Sequence, residues 1–327
     1  MPVGQSTSLT GEIVFNTGMT GYVETLTDPS YSGQILVFTY PLIGNYGVSG
    51  PDSWESAKIH LRGVVVSELS TKWSHTDSVG SLRDWLSSQG IPFITGVDTR
   101  ELTKYLRTRG TMAAVITPHD SNDRPEENEQ IPDKVSITEP QILNPGRPKT
   151  VIAVDCGIKQ NILRSLVELG VTVKHVPHNF DYTQESYDGV LISNGPGDPT
   201  DYPETIAILQ RALRGNKPIF GICLGAQLMG LAAGAATYKL RFGHRGHNQP
   251  AITPAGHGYI TSQNHGYALA EDSLPREWTV TFRNLNDNSV EGIAHASKPF
   301  FAVQFHPEAT PGPTDTSWLF KDFLKKL

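Results

Sequence analysis

Cysteine is scarce in this chain, which has 327 residues and two cysteines, Cys156 and Cys223. Such sparse use fits a reducing compartment and excludes a disulfide framework. The CxxC and HExxH spacings of common zinc sites do not occur, so we expect no metal. The GxxxxGK[ST] loop is also missing, which argues against nucleotide chemistry on this chain.

Positive charge and long apolar runs are also in short supply. The 27 Lys and Arg residues are outnumbered by 33 Asp and Glu residues, and the net charge of −6 disfavours nucleic acid as a partner. No apolar run approaches the roughly 18 residues of a membrane span, and the first residues carry no signal-peptide pattern. We therefore expect a cytoplasmic protein that binds neither nucleic acid nor membrane, with a mitochondrial location left open.

Composition divides the chain into three parts. Residues 118–132 are polar and acidic without apolar periodicity, and the Asn-Pro-Gly-Arg-Pro run of residues 144–148 precedes a new strand. These signals predict an N-terminal domain over 1–118, a linker over 119–148 and a C-terminal domain over 149–327.

Strands and helices alternate in the C-terminal part. Repeated βα units indicate an α/β fold with a doubly wound, mostly parallel sheet covered by helices on both faces. The N-terminal part is less regular and is predicted to be a smaller mixed α/β domain. The predicted strands of the C-terminal part are 150–154, 171–173, 189–193, 219–220 and 299–303, and its helices are 159–169, 204–213 and the stretch after 224.

The most informative motif is Gly-Ile-Cys-Leu-Gly at residues 221–225, which lies between an apolar run and a helix-like stretch. A strand, a sharp turn and a helix start form a nucleophile elbow, which needs small neighbours and pushes the turn side chain into the open. The helix start also favours the reactive thiolate of Cys223. Taken alone, a buried cysteine before a core helix is an equally good interpretation.

A histidine near the C-terminus favours the nucleophile elbow over the buried core cysteine. His306 follows a predicted buried strand, and active groups of open α/β sheets gather at the carboxyl ends of strands. His306 could take the thiol proton and later protonate a leaving amine. Glu308, two residues on, could orient the imidazole, which completes a nucleophile, base and orienter arrangement.

These segments resemble the class I glutamine amidotransferases, and nearly the whole chain resembles the glutaminase chain of glutamine-dependent carbamoyl-phosphate synthetase. The amidotransferase motifs are residues 193–199, 220–225, 263–267 and 305–308. The N-terminal motifs of the synthetase branch are residues 18–22, 26–31, 40–47 and 96–100, and residues 245–250 resemble the eukaryotic branch. The N-terminal motifs argue against the glutaminase of another synthetase, such as that for GMP or anthranilate.

The resemblance implies a reaction and a set of site residues. Cys223 attacks the amide of L-glutamine, ammonia leaves, and water releases glutamate from a thioester, with His306 and Glu308 completing the triad. The N–H groups of Leu224 and Gly195 form the oxyanion hole. The implied glutamine-binding residues are Ser30, Gly195, Gly197, Leu224, Gln227, Asn264, Gly266 and Tyr267.

The resemblance also implies a partner, because ammonia must reach an acceptor. We expect a large carbamoyl-phosphate synthetase subunit or a fused synthetase region, serving arginine or pyrimidine synthesis. ATP, Mg²⁺ and bicarbonate belong on that partner, and no cofactor is expected on this chain. Ala226 stands where the family usually has histidine, and family members usually begin with a further strand pair. A degenerate glutaminase that acts as a regulatory or scaffold subunit is therefore the alternative.

Overall fold

The computed structural model describes residues 8–117 and 132–327. The chain divides into two compact units, residues 1–131 with 241–246, and residues 132–240 with 247–327. Residues 119–131 of the predicted 119–148 linker lie outside the described residues. The remainder of that segment carries a short helix and a strand that belong to the second unit.

The first unit contains three helices and nine short strands among its described residues. They are β1 (Leu9–Asn16), α1 (Tyr22–Thr27), β2 (Gln34–Phe38), β3 (Leu42–Ile43), β4 (Val48–Ser49), β5 (Gly63–Val65), β6 (Glu68–Leu69), β7 (Ser78–Gly80), α2 (Leu82–Ser88), β8 (Phe93–Ile94), α3 (Thr99–Arg109) and β9 (Met112–Ile116).

The main sheet of the first unit has five strands in the order β8-β5-β2-β1-β9. The first four are parallel and β9 is antiparallel to β1. Alternate residues of each strand enter different clusters, with Leu36 on one face and Val37 on the other. Ser81 and Asp98 cap α2 and α3 by accepting main-chain N–H groups. The prediction of a mixed α/β domain is confirmed.

The second unit has longer strands and carries the predicted triad. Its elements are α4 (Pro132–Val135), β10 (Gln141–Leu143), β11 (Thr150–Asp155), α5 (Gln160–Glu168), β12 (Thr172–Pro177), β13 (Gly189–Ile192), α6 (Pro203–Ala212), β14 (Ile219–Ile222), α7 (Leu224–Ala233), β15 (Thr237–Ile252), β16 (Gly258–Leu269), β17 (Trp278–Asn284), β18 (Val290–His295), β19 (Phe300–Val303) and α8 (Trp318–Lys326). Residues 241–246 in the middle of β15 are assigned to the first unit.

These strands form one sheet of ten, in the order β10-β12-β11-β13-β14-β19-β18-β17-β15-β16. The strands β12, β11, β13, β14 and β19 are parallel. Antiparallel pairing adds β10 at one edge and continues from β19 through β18 and β17 to β15. The predicted α/β class is confirmed, and the antiparallel extension, which the sequence patterns did not indicate, makes the sheet mixed.

Helices cover both faces of the parallel part. Alternation along β11 directs Ile152 toward the cluster that contains residues of α6 and α7. It directs Val151 toward the cluster that contains residues of α5 and α8. The parallel strands are buried on both faces, which explains their continuous apolar sequences. This is the predicted doubly wound arrangement. It brings the turns after β11, β13, β14 and β19 together, where the carboxyl ends of the parallel strands lie.

Among residues 8–117 and 132–327, no helix combines the length and the apolar character that crossing a membrane requires.

Candidate active site

The turn after β14 holds Cys223 in a strained backbone conformation. Cys223 caps α7 with φ 55° and ψ −105°, which is rare for a residue other than glycine. Its N–H donates to the carbonyl of Val303 on the neighbouring strand at 2.8 Å, and its own carbonyl accepts from Ala226 at 3.0 Å. The geometry is that of the predicted elbow.

The flanking glycines leave room for this turn. A Cβ on Gly221 would lie 2.6 Å from the carbonyl oxygen of Gly225, and a Cβ on Gly225 would overlap the carbonyl oxygen of Ile192. Both obstacles are backbone atoms, which cannot move aside as a flexible side chain can. The expectation that the elbow requires small neighbours therefore has a specific steric cause.

The expectation that the elbow exposes its side chain is wrong, because Cys223 is 1% exposed. The strand β16 and the turn after β19 cover the sulfur. The carbonyl of Asn264 accepts from the thiol at 3.7 Å, and Nε2 of Gln304 lies 3.6 Å from Sγ. The nucleophile is therefore buried, and polar atoms of β16 and of the turn after β19 lie next to its sulfur.

The turn after β19 brings His306 and Glu308 together. Nδ1 of His306 lies 2.7 Å from Oε1 of Glu308, and both side chains are almost completely buried. The main chain of His306 is fixed by its N–H, which donates to the carbonyl of Ser262 at 2.9 Å. Because Glu308 occupies Nδ1, Nε2 is the ring nitrogen left for proton transfer.

The charges of this turn shift the pKa of His306 upward. Burial opposes the charged imidazolium, but attraction to the Glu308 carboxylate and to the sulfur of Cys223 outweighs that penalty and raises the pKa. The imidazole of His306 therefore interacts with both its carboxylate and the nucleophile. This electrostatic arrangement favours the protonated form of His306.

A buried lysine holds the carboxylate of Glu308. Nζ of Lys159, at the start of α5, donates to Oε1 of Glu308 at 3.0 Å and to the carbonyl of Ala309 at 2.5 Å. Burial would raise the pKa of Glu308, but Lys159 and then His306 outweigh that effect and lower it to about 2. The Asn161 amide also donates to the Glu308 carbonyl, at 2.6 Å.

Sequence reasoning gave Lys159 and Gln304 no role at the site. One available signal was their position, since Lys159 follows β11 and Gln304 follows β19 at the carboxyl ends of parallel strands.

The glycine loop after β13 approaches the elbow closely. A Cβ on Gly195 would overlap the carbonyl oxygen of Cys156 and would lie 2.8 Å from Cδ2 of Leu224. Gly197 has φ +88°, a value that favours glycine. The hydroxyl of Tyr202 supports the loop from below by donating to the carbonyl of Pro196 at 2.9 Å. Gly195 and Leu224, the two predicted oxyanion donors, are thus neighbours.

The other predicted glutamine-binding residues fall into two groups. Gln227 on α7 and residues 264–267 on β16 are brought together, since Nε2 of Gln227 donates to the carbonyl of Tyr267 at 2.9 Å. Asn264 contacts Cys223 through its carbonyl, and Gly266 lies between Asn264 and Tyr267 on the strand. Ser30 belongs to the first unit, where its N–H donates to the side chain of Asp28 at 2.9 Å. Through this bond, the side chain of Asp28 caps the short 3-10 helix Pro29–Tyr31.

Two family models match separate parts of the chain. The family described as "Glutamine amidotransferase class-I" matches residues 152–326, just over half of the chain. The family described as "Carbamoyl-phosphate synthase small chain, CPSase domain" matches residues 1–116.

Curated relatives match the chain along nearly its whole length. The arginine-specific small chain of carbamoyl phosphate synthase from Schizosaccharomyces pombe is 48% identical over 99% of this chain and 83% of its own length. The multifunctional protein CAD of Squalus acanthias is 48% identical over 98% of this chain, and the multifunctional protein URA2 of Saccharomyces cerevisiae is 45% identical over 99%. The chain spans only 15% and 17% of the lengths of these two multifunctional proteins. These relatives are eukaryotic, as residues 245–250 predicted, and the chain belongs to the carbamoyl-phosphate synthase small chains, with a class I glutamine amidotransferase domain as its C-terminal part.

Proposed function

We propose that this chain hydrolyses the side-chain amide of L-glutamine and supplies the ammonia to a carbamoyl-phosphate synthetase subunit or fused region. The observation that carries the proposal is the line of buried groups Lys159, Glu308, His306 and Cys223, which ends at a strained elbow. Membership of the carbamoyl-phosphate synthase small-chain family supports the identity of the ammonia acceptor.

The first half of the reaction forms the thioester. The sulfur of Cys223 attacks the amide carbon, a C–S bond forms, and the carbonyl oxygen becomes an oxyanion. The N–H groups of Leu224 and Gly195 are proposed to bind that oxyanion, and in other enzymes each such donor is worth roughly 3–4 kcal/mol. His306 protonates the leaving nitrogen, the C–N bond breaks, and ammonia departs.

The second half regenerates the enzyme. His306 takes a proton from water, the water oxygen bonds to the thioester carbon, and the C–S bond breaks to release glutamate. Glu308 keeps the imidazole in one orientation throughout, while Lys159 fixes Glu308 in turn. These steps use side chains and main-chain donors only.

The proposed glutamine site lies beside the elbow. Its members in the second unit are Gly195, Gly197, Leu224, Gln227, Asn264, Gly266 and Tyr267, and the contacts between α7 and β16 described above support this grouping. Ser30 of the first unit is proposed as a further glutamine ligand because it matches the motif of the resembled family.

The substitution Cys223→Ser tests the proposal. We expect glutamine-dependent glutamate formation to fall more than a thousandfold, because the nucleophile is lost. Synthesis of carbamoyl phosphate from added ammonia, measured with a synthetase large subunit present, should continue. Cys156→Ser is the matched control, since Cys156 is fully buried outside the proposed machinery, and it should retain glutamate formation.

Two outcomes would contradict the proposal. Glutamine use that survives Cys223→Ser would show that another group is the nucleophile. A wild-type chain that forms no glutamate with the synthetase present, but still alters its ammonia-dependent rate, would support the scaffold alternative. Ala226, one of the two features that motivate this alternative, packs in the apolar cluster that contains residues of α6 and α7.

A further inference from the structure

Gln304 contacts the nucleophile but has no role in the reaction described above. It follows β19 directly, is 2% exposed, and its N–H donates to the carbonyl of Glu291 at 2.8 Å. Its side chain extends to the elbow, where Nε2 lies 3.6 Å from Sγ of Cys223. A buried polar side chain in contact with the reacting atom suggests a chemical role.

A chain of hydrogen bonds fixes which end of the Gln304 amide faces the sulfur. The carbonyl of Tyr267 can only accept, so the nitrogen of the Gln227 amide must face it, at 2.9 Å. The same nitrogen lies 3.2 Å from Oε1 of Gln304. Reversing the Gln304 amide would place two NH₂ groups against each other, which have no acceptor between them. Gln304 therefore presents its NH₂ group to Cys223.

The other groups near the sulfur shift the equilibrium between thiol and thiolate in different directions. The carbonyl of Asn264, on β16, accepts at 3.7 Å and favours the neutral thiol. His306, from the turn after β19, attracts the thiolate. The carboxylate of Glu308 is held by His306 and Lys159, and that of Glu291, on β18, accepts from Asn284. Gln304 supplies a neutral donor, which stabilises a buried thiolate against the cost of desolvation.

We propose that Gln304 is a further catalytic residue, whose side-chain amide donates a hydrogen bond to the sulfur of Cys223 and stabilises its thiolate form. The bond acts before attack, when the sulfur is charged, and again when the C–S bond breaks and the electron pair returns to sulfur. Gln227 is a positioning residue in this arrangement, because it orients the amide of Gln304. The catalytic part of this inference rests on the proposed glutaminase function, whereas the hydrogen bond itself does not.

The test measures the thiolate directly and without substrate. The ultraviolet absorbance of the thiolate is titrated with pH, as the difference between each protein and the same protein carrying Cys223→Ser, so that Cys156 and the tyrosines cancel. Gln304→Glu keeps the size and the acceptor for Gln227 but replaces the donor, and it should raise the titration midpoint by about one pH unit or more, a tenfold change in the thiolate equilibrium. Gln304→Met, which only removes the donor, should raise the midpoint by less.

A matched control and a second site keep the test decisive. Gln263→Met removes another buried glutamine amide, whose hydrogen bonds go to Thr261 and His265, and should leave the midpoint unchanged. Gln227→Leu leaves Gln304 in place but frees its amide to rotate, and should raise the midpoint slightly. An unchanged midpoint in folded Gln304→Glu and Gln304→Met proteins overturns the inference. If neither folds, an unchanged midpoint in Gln227→Leu overturns it.

The two proposals fail separately. A shifted midpoint in a protein that forms no glutamate would leave the hydrogen bond standing and would overturn the glutaminase function. If the protein is an active glutaminase and its titration midpoint does not change when Gln304 is substituted, only this inference is overturned.

Discussion

The turn after β14 and the turn after β19 meet at the carboxyl ends of neighbouring parallel strands, but different forces hold them. The elbow at residues 221–225 is shaped by backbone atoms, with a positive φ at Cys223 and glycines whose missing Cβ atoms let strand and helix approach. The turn at residues 306–309 also has a positive φ, at Ala309, but its side chains are held by charge, with Lys159, Glu308 and His306 paired in the interior.

The difference teaches how each half of the site can fail. The elbow should tolerate no added atom, yet it should respond little to pH because sterics do not titrate. In the charged turn, a substitution that removes a charge should be destabilising even when the new side chain has a similar size. The stability of this turn should also depend on pH. The three substitutions below test this contrast, beginning with the largest expected effect.

Gly225→Ala should be the most damaging change. The new methyl group overlaps the carbonyl oxygen of Ile192, so α7 must move away from β13. We expect a loss of about 3 kcal/mol or more in the free energy of unfolding, as in severe overpacking, together with loss of glutamate formation. Urea unfolding and a glutaminase assay measure the two effects.

The control for this substitution adds the same methyl group where there is space. Gly258 begins β16, and no atom lies within 4 Å of a Cβ built there. Gly258→Ala should change the unfolding free energy by less than about 0.5 kcal/mol. Equal effects at both glycines would refute the steric account of the elbow.

Lys159→Met should have the next largest effect. It removes the ammonium that pairs with Glu308 but keeps the apolar stem, and it leaves a buried carboxylate without its cationic partner. Breaking such a pair costs about 3–5 kcal/mol. Because His306 still contacts Glu308, we expect a cost of about 2–3 kcal/mol at neutral pH, measured by urea unfolding. Lys321→Met, at an exposed position on α8, should be nearly neutral.

The pH dependence of Lys159→Met separates charge from packing. The pKa of Glu308 is lowered in the folded wild type to about 2 from an ordinary 4.5, so its stabilising effect is complete above 4.5 and is lost as the pH falls toward 2. Without Lys159 the folded pKa rises, and the folded variant takes up a proton at higher pH. The stability deficit of Lys159→Met should therefore narrow as the pH falls below neutrality. A deficit that stays constant with pH would indicate lost packing instead.

His247→Gln should have the smallest effect and should act only in mild acid. Burial, followed by repulsion from Lys159, lowers the pKa of His247 to about 4 from an ordinary 6.5. Because the folded pKa is the lower one, wild-type stability should fall as the pH drops from 6.5 toward 4. We expect the substitution to remove about 1 kcal/mol of that loss at roughly pH 5.5.

The exposed His257, in the turn between β15 and β16, is the control for His247. Thermal melting at several pH values should show that the melting temperature falls less steeply in acid for His247→Gln than for the wild type. For His257→Gln the fall should match that of the wild type. If His247→Gln leaves the fall of melting temperature in acid unchanged, the lowered pKa of His247 is not its cause.

Local patterns in the sequence predicted much of the second unit. Repeated apolar runs and helical spacing indicated β11 to β14, β19 and the helices α5 to α7, because strands buried on both faces must be apolar throughout. The glycine pair around Cys223 favoured the elbow, because a sharp turn from strand to helix needs neighbours without a Cβ atom. Strands β15 to β18 were not indicated, because long antiparallel strands with one polar face carry weaker signals.

Sequence also indicated the triad by residue type and by position after a strand. It did not indicate the burial of Cys223, which depends on β16 and the turn after β19 covering the sulfur. Nor did it indicate Lys159 as the partner of Glu308, because 149 positions separate them in the chain.

What the sequence determined by itself was therefore local: which segments form strands and helices, which turn has room for a strained nucleophile, and which family the chain belongs to. The tertiary structure alone decided which side chains meet, from the lysine that neutralises Glu308 to the direction of the Gln304 amide. The physical reason is that periodicity and turn chemistry depend on near neighbours, whereas charge pairing and hydrogen-bond direction depend on groups that only the sheet order brings together.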